Sequence, residues 1–179
     1  MTDQELLEKF SKPETKHLAF EQLVRLYQQR IYWHVRKMVI DHDDADDLTQ
    51  ETFIKAWESL DKFRADAQIF TWLYRIASNG CIDFLNKKRR RLFVPIHDVS
   101  HELAAKMDDD PLLSGDEIQL RLQKALLRLP DKQRLVFNMK YFDDLKYEQI
   151  ADITGTSVGA LKASYHLAVK KIEAFLTVE

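Results

Sequence analysis

The 179-residue chain is long enough for one ordinary domain or two small ones, and a hydrophobic fraction of 45% excludes a disordered tail. Its single cysteine excludes an intramolecular disulfide and every cysteine-rich metal site, and no apolar run approaches the roughly eighteen residues needed to cross a membrane. The formal net charge of -2 is unevenly spread, because residues 93–116 hold 6 acidic residues against 1 basic residue while the flanking segments are slightly basic.

Helices are the predicted elements along the whole chain. Only 4 Gly and 4 Pro interrupt it, and no long run alternates Val, Ile or Thr at period two, so strands have little support. The amino end lacks the basic and then apolar pattern of a secretory signal. We expect an all-α, cytoplasmic protein without direct membrane insertion, made of two small helical domains, residues 1–92 and 117–179.

The first domain begins with a long amphipathic helix followed by a helix that starts in an acidic segment. Apolar residues at roughly helical spacing predict the first helix: Leu18, Leu23, Leu26, Tyr27, Ile31, Val35 and Met38. The acidic segment, residues 41–47, holds five aspartates. Aspartates favour helix N-caps and first turns, and the Gly and Glu spacing of an EF-hand loop is missing. We therefore expect no metal ion and no cofactor there.

The exposed face of this acidic-start helix is predicted to be mixed. It consists of Asp47, Gln50, Glu51, Ile54 and Lys55. An isoleucine ringed by polar groups fits a protein contact, and it fits a solvated face equally well. The residues alone leave both interpretations open.

Residues 70–91, FTWLYRIASNGCIDFLNKKRRR, predict a helix with two different faces. The buried face on a helical wheel consists of Leu73, Ile76, Ala77, Gly80 and Phe84. A second stripe consists of Trp72, Arg75, Asn79, Asp83 and Asn86. Asparagine amides read base edges, indoles stack on bases and cations neutralise phosphates, so the stripe and the basic run fit nucleic acid. The alternative is a helix with core aromatics, solvated asparagines and a favourable cationic C-terminus.

A flexible acidic linker is predicted over residues 93–116. The segment breaks the helical periodicity, contains Pro95 and Pro111, and collects three successive aspartates at residues 108–110. The acidic charge of the linker should be repelled by DNA, which would discourage DNA binding by the isolated chain.

A helix-turn-helix is predicted in residues 147–166, YEQIADITGTSVGALKASYH. The positions that define its spacing are Ala151, Gly155 and Leu161. A small residue at Ala151 lets two helices cross closely, Gly155 permits a turn with positive φ, and Thr156 or Ser157 can cap the second helix.

The second helix of this motif is predicted to turn one face inward and one outward. The inner stripe is Val158, Leu161, Tyr165, Ala168, Ile172 and Leu176, and the outward face is Gly159, Ala163, His166, Leu167 and Lys170. Lys162 and Lys171 flank the outward face within reach of phosphates, whereas Ala163 and Leu167 offer only apolar contacts, for instance to thymine methyls. An ordinary helical hairpin without DNA is the alternative.

Three segments in this order resemble the signature segments of bacterial sigma factors of the extracytoplasmic-function (ECF) type, in the sigma-70 family. They are DADDLTQETFIKAW, FTWLYRIASNGCIDFLNKKRR and ALLRLPDKQRLVFNMKYFDDLKYEQIADITGTSVGALKASYHLAVKKI. The resemblance covers residues 18–175 apart from the linker. The combination is highly specific, although each segment alone is not.

The resemblance implies an alternative sigma factor, which is not an enzyme, that binds core RNA polymerase and directs promoter-specific transcription initiation. The mixed face of the acidic-start helix would bind the clamp helices of the β′ subunit, and the β flap would be a second polymerase contact. Family members are commonly held inactive by an anti-sigma factor, which is often membrane-bound. An anti-sigma factor is therefore an expected partner.

The resemblance also assigns promoter contacts. The helix of residues 70–91 and the preceding loop, FRADAQIF, would read and melt the minus-ten element. Its contacts would be Phe70, Trp72, Tyr74, Arg75, Asn79, Asp83 and Asn86, with Lys87 and Lys88 on phosphates. The minus-thirty-five contacts would be Lys162, Ala163, His166, Leu167, Lys170 and Lys171. The chain departs from the family in this helix, since Ser164, Leu167 and Val169 stand where arginines are common.

Two other classes of function compete with a sigma factor. A stand-alone helix-turn-helix regulator would bind duplex operators tightly by itself, but it leaves the stripe around Trp72 and Asn79 without a task. A metal-dependent hydrolase would use the aspartates of residues 41–47 with His42. Carboxylates so close along one helix start cannot all converge on one ion, and no second cluster completes the ligand set.

Overall fold

The computed structural model describes residues 1–64, 66–92, 96–111 and 115–178, and all regular structure among them is helical. The α-helices are α1 (Asp3–Phe10), α2 (Pro13–Val39), α3 (His42–Ser59), α4 (Ile69–Leu92), α5 (Ile96–Asp108), α6 (Glu117–Leu126), α7 (Asp131–Tyr141), α8 (Tyr147–Thr154) and α9 (Val158–Thr177). A 3-10 turn, Leu60–Lys62, follows α3. The predicted all-α class is confirmed. None of the described helices is both long and apolar enough to cross a membrane.

The predicted long amphipathic helix is α2. Proline at its first position suits a helix start, because the ring fixes φ and the missing N–H would be unpaired there anyway. Most of the predicted apolar stripe is buried, but Leu18 and Leu26 are exposed. The helix ends at Val39. The C-cap residue Ile40 has a φ of 69°, which is rare for a β-branched residue, and the Arg36 guanidinium donates to the Ile40 carbonyl. The carboxyl end of α2 is thus held by a buried arginine.

The acidic segment at the start of α3 caps the helix as predicted, through Asp41. The Asp41 carboxylate accepts from the Asp44 N–H at 3.0 Å, and Lys106 donates to it at 3.1 Å. The hydrogen bond from Asp44 has the largest effect on the pKa of Asp41 and lowers it; Lys106 acts in the same direction against the opposing effect of burial. Among the described residues, no group of three or more His, Cys, Asp or Glu side chains is placed to hold a metal ion.

The predicted linker contains a helix, so the expectation of an irregular segment is wrong over residues 96–108. This helix, α5, buries Leu103 and Met107, four residues apart, in the main apolar core. The linker carboxylates are engaged as well, because Asp108 pairs with Lys124 at 2.6 Å and Asp110 pairs with Arg36. Residues 93–95 and 112–114 of the predicted linker lie outside the described residues, as does Ala65 of the loop FRADAQIF.

The predicted helix-turn-helix is formed by α8 and α9. Gly155 adopts φ 72° and donates its N–H to the Ala151 carbonyl at 2.8 Å, which closes α8 in the left-handed conformation that glycine tolerates. Ser157 caps α9 by accepting from the Ala160 N–H at 3.2 Å. The fully buried Leu161 joins the two helices.

The two predicted domains pack against each other. The largest apolar cluster runs from α2 and α4 into the second domain, where it includes Leu135, Met139 and Leu161. A smaller cluster in the second domain centres on Phe137 and Ala168. Cys81 lies in the large cluster, and burial raises the pKa of its thiol to about 12, as expected for an inert thiol.

Candidate protein and nucleic-acid interfaces

The mixed face predicted on α3 is exposed as a whole. Its members Asp47, Gln50, Glu51, Ile54 and Lys55 are all exposed, while Ala45, Leu48, Thr52 and Ala56 are buried on the opposite side. Ile54 is 57% exposed, and Glu51 and Lys55 beside it form an ion pair at 3.0 Å. An exposed aliphatic side chain ringed by charges is a common composition for a protein-binding surface.

The residues of the predicted stripe on α4 differ in their exposure to solvent. Arg75, Asn79 and Asp83 are exposed, whereas Trp72 and Asn86 are half-buried. The Trp72 ring packs against Phe63 with 4.7 Å between ring centroids, and the Asn86 amide oxygen accepts from Arg89 at 2.6 Å. Arg75 is not free, because it donates to the Asp152 carbonyl of α8 at 2.6 Å.

Phe70 and Tyr74 do not lie on the solvent face to which the resemblance assigned them. Phe70 is 7% exposed and Tyr74 is fully buried, with 4.2 Å between their ring centroids. Residues four apart share one helix face, and this face of α4 turns toward α2, where the Arg30 guanidinium lies 4.1 Å from the Phe70 ring centre. Burial raises the pKa of the Tyr74 hydroxyl. Both rings therefore contribute to the core rather than to an open binding surface.

Two side chains that contact α4 were not predicted individually from the sequence: the aromatic Phe63 and the cationic Arg30. Phe63 lies in the loop FRADAQIF and extends the half-buried surface of Trp72. Arg30 is exposed on α2 and covers the Phe70 ring, which a wheel drawn for one helix does not reveal. The aromatic residue at the start of the loop was the available signal for Phe63.

The basic end of α4 lines an open cavity of about 700 Å³. Its walls are Asp44, Phe84, Lys87, Lys88, Arg90, Arg91 and Glu102. Lys88 pairs with Glu102 at 3.3 Å, while Lys87, Arg90 and Arg91 are exposed. Four cations around an apolar ring suit a phosphate backbone with attached bases.

Asp3 of α1 holds the start of α4 and was not predicted. Its carboxylate accepts from the Ile69 N–H at 3.0 Å, so a residue at the amino end of the chain caps the helix that follows the loop FRADAQIF. Tyr27 lies close enough for the Asp3 charge to add to the effect of burial and raise the pKa of the Tyr27 hydroxyl. The link joins residues 66 positions apart, which no local pattern indicates.

Replacing Asp3 by alanine is expected to lower the free energy of unfolding by about 1 kcal/mol, the typical effect of losing a helix cap. Asp3→Asn should lose less, because an amide oxygen still accepts from the Ile69 N–H. Urea unfolding followed by circular dichroism measures both, with Gln4→Ala, at the exposed neighbouring position, as the control. Equal stability of the Asp3→Ala and Gln4→Ala variants would contradict the capping role.

The outward face of α9 lies as predicted. Gly159, Ala163, His166, Leu167 and Lys170 are exposed, and Leu161, Ala168 and Ile172 are buried. The flanking Lys162 is exposed near the Tyr147 ring, at 5.8 Å from its centre, and Lys171 donates to Gln133 at 3.1 Å. The face and its flanks combine three exposed lysines, Lys162, Lys170 and Lys171, with the apolar Ala163 and Leu167. Any base contacts at Ala163 and Leu167 would be apolar.

Comparison with known proteins shows that this chain is similar to one family of transcription factors. The model for sigma-70 region 2 matches residues 23–91, and the model for sigma-70, region 4 matches residues 119–172. The RNA polymerase sigma-H factor of Pseudomonas aeruginosa is 33% identical over 97% of this chain and 93% of its own length. The ECF RNA polymerase sigma factor SigW of Bacillus subtilis is 33% identical over 83% of both chains.

Two solved structures are similar to this chain in their fold. The structure of CnrH in complex with the cytosolic domain of CnrY matches with a TM-score of 0.71 and 26% identity, over 99% of this chain and 98% of that chain. The sigma factor RpoE in complex with the anti-sigma factor NepR from Bartonella quintana matches with a TM-score of 0.68 and 24% identity, over 89% and 98%.

Proposed function

Because the chain belongs to the sigma-70 family, as a sigma factor of the ECF type, we propose that its exposed faces on α3, α4 and α9 divide the steps of transcription initiation. The protein is a transcription initiation factor rather than an enzyme, and it binds core RNA polymerase and promoter DNA. The observation that supports the division is that the three faces lie on different helices, each with exposed residues and its own chemistry.

The face of α3 is proposed to bind the clamp helices of the polymerase β′ subunit. Its centre is Ile54, which gains free energy when a partner removes it from water. Asp47 and Gln50 at the rim can add hydrogen bonds and charge, which set specificity and association rate more than affinity. The second domain is proposed to contact the β flap.

The stripe of α4 is proposed to hold the melted minus-ten strand. A base that leaves the duplex loses its stacking energy, and an aromatic wall such as the Phe63–Trp72 pair can replace on the order of 1 to 3 kcal/mol per base. Asn79 presents an amide that can pair with a base edge. The basic cavity at the end of α4 would then receive the phosphates that follow.

The outward face of α9 is proposed to enter the major groove at the minus-thirty-five element. Lys162, Lys170 and Lys171 would neutralise phosphates and fix the register, and Ala163 and Leu167 would contact thymine methyl groups. This helix lacks the arginine contacts common in the family. We therefore expect A·T-rich steps, which display those methyls, to be favoured at this element.

An anti-sigma factor is proposed as the regulatory partner, and the cytoplasm as the site of action. Similarity to CnrH, whose solved structure is a complex with the cytosolic domain of CnrY, supports such a partner. Core polymerase and promoter DNA meet in the bacterial cytoplasm, so a factor that binds both must work there.

Co-elution of the purified chain with core RNA polymerase, followed by run-off transcription from a genomic promoter pool, tests the proposal. We expect a stable complex and new transcription start sites, from which the two promoter elements can be read. Tight duplex binding without polymerase binding would instead establish a stand-alone helix-turn-helix regulator.

A further inference from the structure

The loop before α4, residues 63–68, is held at its two ends by different parts of the chain. At its front, the Phe63 N–H donates to the Leu60 carbonyl at 3.1 Å, and Leu60 is buried in the main apolar core. At its far end, the Ile69 N–H donates to the Asp3 carboxylate at 3.0 Å. Three of the loop residues between these ends are exposed to solvent. The end contacts therefore set the path of the loop.

The sequence around the start of α4 does not favour a local cap. Gln68 directly precedes the helix, whereas Ser, Thr, Asp and Asn are the residues that commonly accept from the first N–H groups of a helix. The first turn of α4 contains no acidic residue. A carboxylate at this end of a helix also interacts favourably with the helix dipole. For the Ile69 N–H, both the acceptor and the charge come from another helix, α1.

Asp3 is itself held in place by the local structure of α1. The Thr2 hydroxyl accepts from the Glu5 N–H at 3.2 Å, and the Glu5 carboxylate accepts from the Thr2 N–H at 2.8 Å. This capping box orders the turn that contains Asp3. Leu6, in the next turn, is buried in the main apolar core. The match to sigma-70 region 2 covers residues 23–91, so the contact with α4 comes from a fixed helix that precedes that match.

The contact with Asp3 reaches the aromatic wall of the proposed minus-ten face. Trp72 lies three residues after Ile69, and its N–H donates to the Gln68 carbonyl at 3.1 Å in the first turn of α4. Its ring packs against Phe63, at the front of the loop. The first N–H groups of a helix have no partner within the helix, so loss of the cap would loosen this turn. Trp72 would then shift relative to Phe63.

We propose that Asp3 is a positioning residue for promoter opening, which holds the loop and the first turn of α4 in the geometry that accepts an unstacked base. The inference rests on the proposed function of α4. Asp3 acts through Ile69 on Trp72 rather than by touching the base. A loop that is held before the DNA arrives loses less conformational entropy on binding, which strengthens the hold on the base. Helix α1 is in this way part of the base-reading site.

Amide hydrogen exchange in the free, full-length chain tests the contact directly. In Asp3→Ala, the Ile69 N–H should exchange about fivefold faster, which corresponds to about 1 kcal/mol of local stability. Asp3→Asn keeps an acceptor oxygen and should restore most of the protection. Gln4→Ala, at an exposed position, is the control. Unchanged exchange at Ile69 in Asp3→Ala would overturn the proposal whether or not the chain supports transcription.

Promoter opening by the complex with core polymerase tests the functional consequence. The probe is a promoter recovered from run-off transcription, and permanganate reactivity of unpaired thymines measures opening at a temperature where circular dichroism shows every variant folded. Asp3→Ala should lower opening about threefold or more, because a reading geometry populated one third of the time costs about threefold in apparent affinity. Asp3→Asn should recover most of this loss. Ile150→Val shortens a fully buried side chain of α8 and is the control for lowered stability alone.

Two further readouts separate positioning from a general loss of stability. Affinity for core polymerase should stay unchanged in Asp3→Ala. Single base changes in the minus-ten element should reduce opening less with Asp3→Ala than with the parent chain, because a released loop discriminates bases less. Equal discrimination by the two chains, or an equal loss of opening in Asp3→Ala and Ile150→Val, would overturn the proposal. Absence of run-off transcription by the parent chain would instead count against the proposed function.

Discussion

Replacing Ile54 by aspartate is expected to weaken binding to core RNA polymerase by at least about tenfold while leaving the fold intact. Fully burying an aliphatic side chain of this size contributes about 1.5 to 3 kcal/mol, and each 1.4 kcal/mol is about tenfold in affinity. A carboxylate at the centre of the contact loses that gain and adds a desolvation cost. Because Ile54 is 57% exposed in the free chain, its loss opens no cavity in the core.

Ile118→Asp is the matched control for this experiment. Ile118 lies on α6 and is 78% exposed, so the same substitution changes charge and hydropathy equally outside the α3 face. A titration of labelled core polymerase with each purified variant measures the affinities. Equal losses for Ile54→Asp and Ile118→Asp would show a charge effect instead of a specific contact, and unchanged affinity of Ile54→Asp would remove α3 from the polymerase interface.

The buried and exposed residues of a helix could be predicted from the sequence wherever only one face of the helix packs against a neighbour. The stripe on α9 follows the wheel, since Leu161, Ala168 and Ile172 are buried and the other three predicted residues, Val158, Tyr165 and Leu176, are half-buried. The wheel works less well for α4, which is contacted by α2, α3, α5, α7 and α8. A helix surrounded on several sides buries residues outside its main apolar stripe, and Phe70 and Tyr74 became core residues for this reason.

The linker was misjudged because its composition obscured a short periodic signal. Pro95, Pro111 and the run of aspartates indicate an irregular segment, yet Leu103 and Met107 lie one helical turn apart and both are buried. A run of carboxylates does not require an irregular, solvated segment when cations lie close enough to pair with it. Here Lys124 pairs with Asp108, and Arg36 pairs with Asp110. These cations belong to other helices, so their proximity is a property of the tertiary structure.

Long-range contacts explain the part of the site that the sequence does not indicate. Asp3 caps α4 from 66 positions away, and Arg134 binds carbonyls of α2 that are 96 and 97 positions away. The residue pattern within a single helix carries no information about such long-range pairs. The exposed faces of α3 and α9 could be predicted because they need only the periodicity of their own helix.

Replacing Asn79 by alanine is expected to lower promoter opening by roughly 5- to 150-fold, the effect of losing about 1 to 3 kcal/mol of base-edge hydrogen bonding. Affinity for core polymerase should not change, because Asn79 lies on α4 and the proposed polymerase contacts lie on α3. Permanganate reactivity of unpaired thymines measures opening, and titration of core polymerase measures binding. Gln119→Ala, which removes an exposed amide on α6, is the matched control.

Asn79 separates these functions better than its neighbour Arg75 does. Arg75 belongs to the stripe and also donates to the Asp152 carbonyl, so Arg75→Ala would remove a proposed DNA contact together with the contact to α8. Asn79 is exposed one turn further along α4, and its truncation should affect the strand contact without releasing α8. Equal losses of opening and polymerase binding in Asn79→Ala would mean that α3 and α4 act as one surface, and the proposed division between them would fail.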